Sequence, residues 1–310
     1  MSTEFEKIAL VTRKTRLSQL VERFNSRAQA RFYIEHAGGD FADYVREDDA
    51  YRRALEPLTH LDAELGLKLH PFDRGFLPTY LFSPRDVVLT VGQDGLVANA
   101  AKYVGAQPIV AVNPEPTRFD GVLLPFQPGQ ARAAIARVLE GRARTRAVTM
   151  AEVELNDGQR LLAFNDLYLG SATHVSSRYR IAVDGRSEAQ SSSGVLVSTG
   201  AGSTGWLSSV FEMAAAVSSF AGGSAGRPPS LTWEDQRLVY VVREPFVSKH
   251  SQAGVVAGML EHGRALTVES LMPDGGVIFS DGVEADFLKF NAGATARVHA
   301  AQQRARLVVG

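Results

Sequence analysis

The segment Gly92-Gln93-Asp94-Gly95 places a carboxylate between glycines, at the junction of a predicted strand and a predicted helix. The apolar run 86–91 before it is typical of a buried strand, and apolar residues recur after it at helical spacing. Ligands bind at this end of open α/β sheets, and the N–H groups of a helix N-terminus favour phosphate. A carboxylate beside phosphates can ligate Mg²⁺ or accept a proton from an attacking hydroxyl. The alternative is a tight turn in which Asp94 caps the helix.

A second glycine-rich segment, Gly200-Ala201-Gly202-Ser203-Thr204-Gly205, follows the predicted strand 194–198 and opens a predicted helix, 206–219. Its spacing matches the dinucleotide fingerprint GxGxxG. The segment falls late in the chain, however, and no acidic residue ends a strand about 20 residues further on. We therefore favour a Gly/Ser/Thr loop that holds a nucleotide in another way, with a flexible strand-to-helix turn as the alternative.

Two shorter segments carry polar groups that suit a nucleoside. Asn165-Asp166 offers donors and acceptors for a ribose or a base edge, although an ordinary turn is the simpler interpretation. Phe279-Ser280-Asp281-Gly282 has the composition of a hairpin turn. Lys14 and Arg16 follow the first predicted strand, 7–12, where cations would neutralise polyphosphate; an exposed basic turn is the alternative.

Composition excludes several classes of protein and of site. The 310 residues are 45% hydrophobic and 22% charged with a net charge of −1, so no basic field indicates nucleic acid or an anionic membrane as a partner. Cysteine is absent, which excludes disulfides and thiolate chemistry. The sequence contains no Walker A, HExxH or GxSxG pattern. No apolar run approaches 18 residues, and the acidic start lacks a secretory h-region, so we expect a cytoplasmic protein.

The predicted elements suggest two domains. Strands at 7–12, 86–91 and 108–112 with helical sequence between them, largely over 32–65, predict an open, Rossmann-like α/β sheet over residues 1–125. A helix is predicted over Gln130–Arg146. After residue 149, short strands separated by turns such as Asn156-Asp157-Gly158 and Val183-Asp184-Gly185 predict a mainly antiparallel β domain. We assign the domains to residues 1–125 and 126–293, followed by a tail over 294–310. A loop rich in Gly, Ser, Pro and Arg is predicted within the second domain, at Gly222–Pro229.

Taken in order, these segments resemble the NAD kinase family, most closely its mitochondrial-type branch. That family has a GGDG loop, an Asn-Glu segment, a Gly/Ser/Thr loop after a strand and a late Asp-Gly turn. The resemblance spans nearly the whole chain. The matching segments are Thr12-Arg13-Lys14-Thr15-Arg16, Val112-Asn113-Pro114-Glu115-Pro116, Asn165-Asp166, Ser192-Ser193-Gly194, Thr199-Gly200-Ala201-Gly202-Ser203, Arg243-Glu244-Pro245 and Ser280-Asp281-Gly282.

The resemblance implies the NAD kinase/diacylglycerol kinase-like fold, with the site between the domains and the tail returning to the first. It implies transfer of the γ-phosphoryl group of ATP, with Mg²⁺, to the adenosine 2′-hydroxyl of NAD. Asp94 would activate that hydroxyl. No side chain is assigned as a metal ligand. We also predict that the protein forms a homo-oligomer. The remaining implied contacts with the nucleotides are Lys14, Arg16, Gly92, Gln93, Gly95, Asn165, Asp166, Ser193, Thr199, Gly202, Ser203 and Thr204.

The sequence departs from the family pattern at several positions. Gln93 stands where the family has glycine, Leu96 replaces the usual threonine, and Asp166 is shorter than the usual glutamate. Ser193 replaces the acid of most bacterial members, as it does in the mitochondrial-type branch. Two alternatives therefore stay open. One is a kinase of the same superfamily that phosphorylates a sugar or a lipid, and the other is a non-catalytic nucleotide-binding protein.

Overall fold

The computed structural model describes residues 5–224, 226–227 and 229–310. The chain forms two compact units, Met1–Arg146 with Arg306–Gly310 and Ala147–Ala305. These bounds differ from the boundaries expected near 125 and 294. A helix at Ala131–Leu139 packs its apolar face into the first unit's core, and only the last five residues of the chain, Arg306–Gly310, join that unit.

The first unit is built on a parallel sheet. Its strand order is β2 (Lys68–Asp73), β1 (Lys7–Thr12), β3 (Asp86–Val91) and β4 (Pro108–Val112), and the end of the chain's final strand lies beside β4. The interiors of β1, β3 and β4 are fully buried, because a parallel sheet is covered on both faces, and this accounts for their continuous apolar sequences. The predicted strands 7–12, 86–91 and 108–112 are confirmed.

Helices surround this sheet and include the region 32–65 that was predicted to be helical. Side chains cap the first three of them, since Thr15, Ser26 and Asp40 accept hydrogen bonds from backbone amides of the first turns. The α-helices are α1 (Arg16–Phe24), α2 (Arg27–His36), α3 (Phe41–Leu55), α4 (Leu61–Leu65), α5 (Asp94–Ala101) and α6 (Ala131–Leu139), with 3₁₀ segments at Glu56–His60, Arg74–Thr79 and Pro128–Gln130.

The helix predicted over Gln130–Arg146 is wrong in its second half. Helix α6 ends at Leu139, and Gly141 follows with a φ of +65°, a left-handed conformation that terminates helices. Residues 144–146 already belong to the next strand, which runs on through residues of high β-propensity such as Val148 and Thr149. The prediction extended too far because alanine and arginine, which are frequent over 131–146, both have high helix propensity.

The second unit is mainly antiparallel, as predicted. One sheet has the strand order β12-β11-β10-β7-β14-β15, and apolar side chains from it and from the unit's other strands form a large core, with a smaller cluster between the other face of the sheet and Leu207. The hairpins predicted at 156–158 and 183–185 join β5 to β6 and β8 to β9. The strands are β5 (Arg144–Leu155), β6 (Arg160–Ala163), β7 (Asp166–Ser171), β8 (Ser177–Val183), β9 (Arg186–Ser192), β10 (Val195–Ser198), β11 (Leu238–Val242), β12 (Ala257–Leu260), β13 (Leu266–Ser270), β14 (Gly276–Ser280), β15 (Val283–Lys289) and β16 (Thr295–Val309).

One helix, α7 (Trp206–Phe220), interrupts these strands at the predicted place, after a 3₁₀ turn at Gly202–Thr204. The Gly222–Pro229 loop predicted after it includes Ala225 and Pro228, which lie outside the described residues. Among the residues that the structure describes, no helix has the length and apolar character needed to cross a membrane.

Candidate active site

Three chain segments meet at the carboxyl end of the first unit's parallel sheet. The backbone N–H of Arg13, just after β1, donates to the Tyr51 hydroxyl at 2.9 Å, and that hydroxyl donates to the Val91 carbonyl at 3.1 Å. The backbone N–H of Gly92, after β3, donates to the Val112 carbonyl at the end of β4 at 3.2 Å. The basic turn and the Gly92–Gly95 segment therefore lie together at the edge where open α/β sheets bind ligands.

Asp94 is the first residue of α5, and its carboxylate is fixed by the chain after β4. Its Oδ1 accepts a hydrogen bond from the backbone N–H of Leu123 at 2.7 Å, and the residue is partly exposed. Gln93 holds the N-cap position and is exposed, and within the described chain its side chain makes no capping bond. Asp94 is therefore not the N-cap. The carboxylate is oriented by Leu123 and lies where the helix dipole favours negative charge.

The two glycines beside Asp94 have different physical roles. A Cβ on Gly92 would lie 2.8 Å from Leu96 Cδ2, so a side chain there would displace Leu96 where the turn packs on α5. Leu96, one of the departures from the family pattern, is the buried side chain that fills this space. A Cβ on Gly95 would meet nothing within 4 Å of the described chain. The backbone at Gly95 is thus exposed and open to a ligand.

Acidic residues of α3 neutralise much of the basic turn. Arg16 Nη2 lies 2.9 Å from Asp43, and its Nε binds Glu47, which also pairs with Arg13 at 3.0 Å. Burial alone would raise the pKa of Glu47, but the hydrogen bonds and charges of the two arginines outweigh it and lower this pKa. Lys14 Nζ lies 2.8 Å from Glu22. A phosphate that reached these cations would compete with carboxylates.

In the second unit, the structure brings together two of the segments that the sequence singled out. Thr199 donates from its backbone N–H to the Asn165 carbonyl at 2.9 Å and from Oγ1 to the Phe164 carbonyl at 2.6 Å. Within the glycine-rich segment, the Gly202 N–H donates to Thr199 Oγ1 at 3.1 Å, and Ser203 Oγ donates to the Gly200 carbonyl at 2.7 Å. The Asn165-Asp166 pair and the Thr199–Ser203 loop therefore form one hydrogen-bonded cluster.

Close backbone contacts explain the glycines of this loop. A Cβ on Gly200 would lie 1.9 Å from the Thr232 carbonyl oxygen, and one on Gly202 would lie 2.4 Å from the Asn165 carbonyl oxygen. Neither position accepts a side chain without moving the backbone. Thr204, at the end of the loop, is exposed. The glycine spacing thus serves packing against the Asn165 segment rather than a Rossmann phosphate turn.

Asp166 is a buried acid at the start of β7. The residue is 9% exposed, and its Oδ1 has no hydrogen-bond partner among the described residues. The pKa of Asp166 is raised to about 7, mainly by burial and in part by the negative charge of Asp281, while the Ser198 hydroxyl acts to lower it. A buried carboxyl without a partner is costly unless a ligand or a proton satisfies it. Asp166 is therefore suited to bind a hydroxyl group.

A cavity of about 800 Å³ lies within the second unit and is lined by aromatic rings. The Tyr168 ring stacks on Phe279 at 4.8 Å and on Trp206 at 5.9 Å between centroids, and the Arg243 guanidinium lies 5.1 Å from the Trp206 ring. The carbonyl of Ser193 accepts hydrogen bonds from the Tyr168 hydroxyl at 3.3 Å and from Arg243 at 3.5 Å. Such a cavity suits a planar ring with polar substituents.

Sequence reasoning identified Ser193 but missed the aromatic walls of this cavity. A signal was available, because each ring lies beside or within a segment that had been singled out, and Phe279 is the first residue of the Phe279–Gly282 segment. Tyr168 lies two residues after Asp166, Trp206 directly follows the glycine-rich segment, and Phe279 precedes Ser280. Gly170 and Gly194 belong to the same arrangement, since a Cβ on either would lie 2.5 Å from an atom of the Tyr168 side chain.

The sequence matches no protein-family model and no curated protein. Among solved structures, the chain is similar to an NAD kinase from Archaeoglobus fulgidus in complex with ATP, at 15% identity and a TM-score of 0.57, over 97% of this chain and 93% of that one. It is also similar to yeast NADH kinase complexed with NADH, at 15% identity and a TM-score of 0.59, over 100% of this chain and 84% of that one. The chain has the fold of the NAD kinases. The predicted fold class is thereby confirmed.

Proposed function

We propose that this protein is a kinase that transfers the γ-phosphoryl group of ATP to the adenosine 2′-hydroxyl of NAD, giving NADP and ADP. The observation that carries the proposal is Asp94. Its carboxylate is oriented by Leu123 at a helix N-terminus, at the carboxyl end of β3, beside the open backbone of Gly95. The NAD kinase fold supports the same conclusion, whereas the mitochondrial-type branch stays a prediction.

In this proposal Asp94 aligns the attacking hydroxyl and accepts its proton. The hydroxyl oxygen forms a bond to the γ-phosphorus while the bond from that phosphorus to the bridging oxygen of ADP breaks. Positioning of the two reactants supplies most of the acceleration in such a transfer. Gly95 keeps a side chain away from the phosphates, Gly92 lets the turn pack against α5, and Gln93, which is exposed, lies beside the phosphates.

Mg²⁺ would neutralise charge on the phosphates of ATP. The part of the chain that the structure describes holds no group of three or more acidic or histidine side chains that could bind a metal ion. A carboxylate such as Asp94 suits Mg²⁺ only as one ligand beside phosphates and water. The ion would therefore be held mainly by the phosphates and water, with Asp94 as the one carboxylate near them.

The second unit is proposed to bind the dinucleotide. Asp166, with its unpartnered Oδ1, would accept a hydrogen bond from a ribose hydroxyl, and Asn165 and the Thr199–Thr204 loop would complete the contacts. The aromatic cavity would take a ring of the dinucleotide against Trp206. Binding of NAD should then change the fluorescence of Trp206, and the change should be lost in Trp206→Phe but kept in Trp233→Phe. A change kept in both variants would argue against this location.

A product-identity assay tests the function directly. Purified protein is incubated with Mg·ATP and, separately, NAD, NADH, a panel of sugars and diacylglycerol, and products are identified by mass spectrometry. The proposal predicts NADP from NAD. Phosphorylation of a sugar or lipid without NADP would identify a different acceptor, and ATP binding without any product would indicate a non-catalytic nucleotide-binding protein.

We also propose that the protein acts as a homo-oligomer in the cytoplasm. The exposed apolar side chains of α7 support association, because Val217 is 61% exposed and Phe220 is 94% exposed. Light scattering behind a sizing column should report more than one chain, and Phe220→Ser with Val217→Ser should reduce the mass to one chain. Fractionation of the source cells tests the location.

A further inference from the structure

The Asp281 carboxylate binds three consecutive backbone amides of a distant segment. Its Oδ2 accepts a hydrogen bond from the Phe164 N–H at 3.0 Å, and its Oδ1 accepts from Asn165 at 2.6 Å and from Asp166 at 3.3 Å. The backbone N–H of Asp281 in turn donates to the Asp166 carbonyl at 3.0 Å. One residue therefore fixes both backbone polar groups of Asp166 and the amide of Asn165.

The turn that carries Asp281 is shaped for this contact. Asp281 and Gly282 join β14 to β15, and Asp281 has a φ of +54°, a left-handed conformation that is uncommon outside glycine. Aspartate and asparagine tolerate this conformation better than most residues. Asp-Gly is a common pair in two-residue hairpins, so the turn alone accounts for the backbone, and it is the three amide contacts that give the carboxylate a further role.

Asp281 also acts on the side chain of Asp166. Asp166 begins β7 between β10 and β14, and two side chains affect its carboxyl: Ser198 from β10 and Asp281 from the turn after β14. The negative charge of Asp281 favours the protonated form of Asp166, in addition to the effect of burial. Asp281 thus acts on Asp166 both through its charge and through hydrogen bonds to the backbone.

We propose that Asp281 is the positioning residue of the dinucleotide site: its carboxylate holds Asn165 and Asp166 so that their side chains face the nucleoside, and its charge acts on the Asp166 carboxyl. This inference rests on the proposed function. It predicts that Asp281 affects acceptor binding without contacting the acceptor, and that a neutral side chain at 281 cannot replace it even where the backbone is unchanged.

The variant Asp281→Asn tests this, because asparagine accepts the left-handed backbone and keeps one acceptor oxygen. Its NH₂ group must then face one of the amides that the carboxylate accepts. The matched control is Asp274→Asn, in the exposed Asp-Gly turn at the other end of β14. Asp281→Ala, which removes all three acceptor contacts, is a second variant, and circular dichroism establishes that each protein is folded.

Two measurements are made on each folded variant. Carbon-13 NMR of aspartate-labelled protein follows the titration of Asp166, assigned by its loss in Asp166→Asn, and needs no substrate. Steady-state kinetics give KM for NAD and kcat. In Asp281→Asn we expect the Asp166 midpoint to move to lower pH and KM for NAD to rise by about tenfold, as for loss of a charged hydrogen-bond acceptor, with a smaller effect on kcat.

The proposal is overturned if a folded Asp281→Asn variant keeps the wild-type titration midpoint of Asp166 and the wild-type KM for NAD. It is also overturned if Asp274→Asn changes these two quantities as much as Asp281→Asn does. A fall in folding stability with both readouts unchanged would make Asp281 a structural cap only, which also overturns it. If the wild-type protein forms no NADP, the proposed function fails. The NMR titration still decides whether Asp281 acts on Asp166.

Discussion

Replacing Asp94 by asparagine separates a catalytic carboxylate from a structural one. Asparagine keeps the shape of the side chain and its Oδ1, so the hydrogen bond from the Leu123 N–H at 2.7 Å can remain. The negative charge at the N-terminus of α5 is lost. Because a positioned general base typically contributes about 10²–10⁴-fold, we expect kcat for NADP formation to fall by that factor.

The cost to stability is expected to be small. Loss of a charge in the first turn of a helix costs about 0.3–1 kcal/mol, and the change from a charged to a neutral acceptor for Leu123 adds about 1 kcal/mol. A unit of this size changes its Tm by roughly 2–4 °C per kcal/mol, so a decrease of several degrees is expected. The protein should therefore remain folded at assay temperature.

The assay measures kcat by enzymatic detection of NADP and Tm by calorimetry on three variants. Asp94→Ala removes the Leu123 contact as well as the charge. Asp62→Asn is the matched control, since Asp62 lies in the first turn of α4 and also accepts a backbone N–H, from Ala63 at 2.8 Å. Near-wild-type kcat in Asp94→Asn with a loss only in Asp94→Ala would show that Asp94 is a structural tether and would refute the catalytic assignment.

Further predictions concern the phosphate and nucleoside contacts. Lys14→Ala with Arg16→Ala is expected to raise KM for ATP more than KM for NAD; unchanged ATP kinetics would leave both residues paired with their acidic neighbours only. Gln93→Gly should change KM for ATP at least about threefold with little change in Tm, because glycine at an N-cap costs only a few tenths of a kcal/mol; identical kinetics would place the side chain outside the site. Asp166 has its pKa raised from 3.8 to about 7, so its contribution to stability is fully present below pH 4 and is lost as pH rises through about 7. Urea unfolding at several pH values should therefore show a decline over this range that Asp166→Asn flattens, and an equal decline in both proteins would contradict the assignment.

The strands of the first unit could be predicted because parallel strands are buried on both faces. Their sequences are therefore short apolar runs, and the polar segments that follow, such as Gly92–Gly95, mark the edge at which open α/β sheets bind ligands. Helix α6 was overextended because alanine and arginine favour helix regardless of tertiary context, and only Gly141 marked its end. Strand β7 was interpreted as a turn, since Asn165-Asp166 at its start has the composition of one.

The electrostatic partners of the candidate site could not be predicted. Glu47 pairs with Arg13 and Arg16, which lie more than 30 residues away in the sequence. Asp281 accepts a hydrogen bond from Phe164, which lies 117 residues away. Periodicity places a residue on a face of its own helix or strand, but it does not give the register between distant elements. A charged residue in a turn, such as Asp281, therefore has the same local sequence whether it faces water or binds three amides.

The glycines of the two candidate loops illustrate the same limit at closer range. Gly200 and Gly202 are required because a Cβ would collide with the backbone of Thr232 or Asn165, a Cβ on Gly92 would displace the Leu96 side chain, and Gly95 leaves open space. All four fit a glycine-rich nucleotide loop equally well in the sequence. Substitution by alanine should distinguish them, since a backbone collision lowers stability whether or not ligand is present. At Gly95 alanine should leave Tm nearly unchanged and raise KM for ATP, because the only space that it fills is the space proposed for the phosphates.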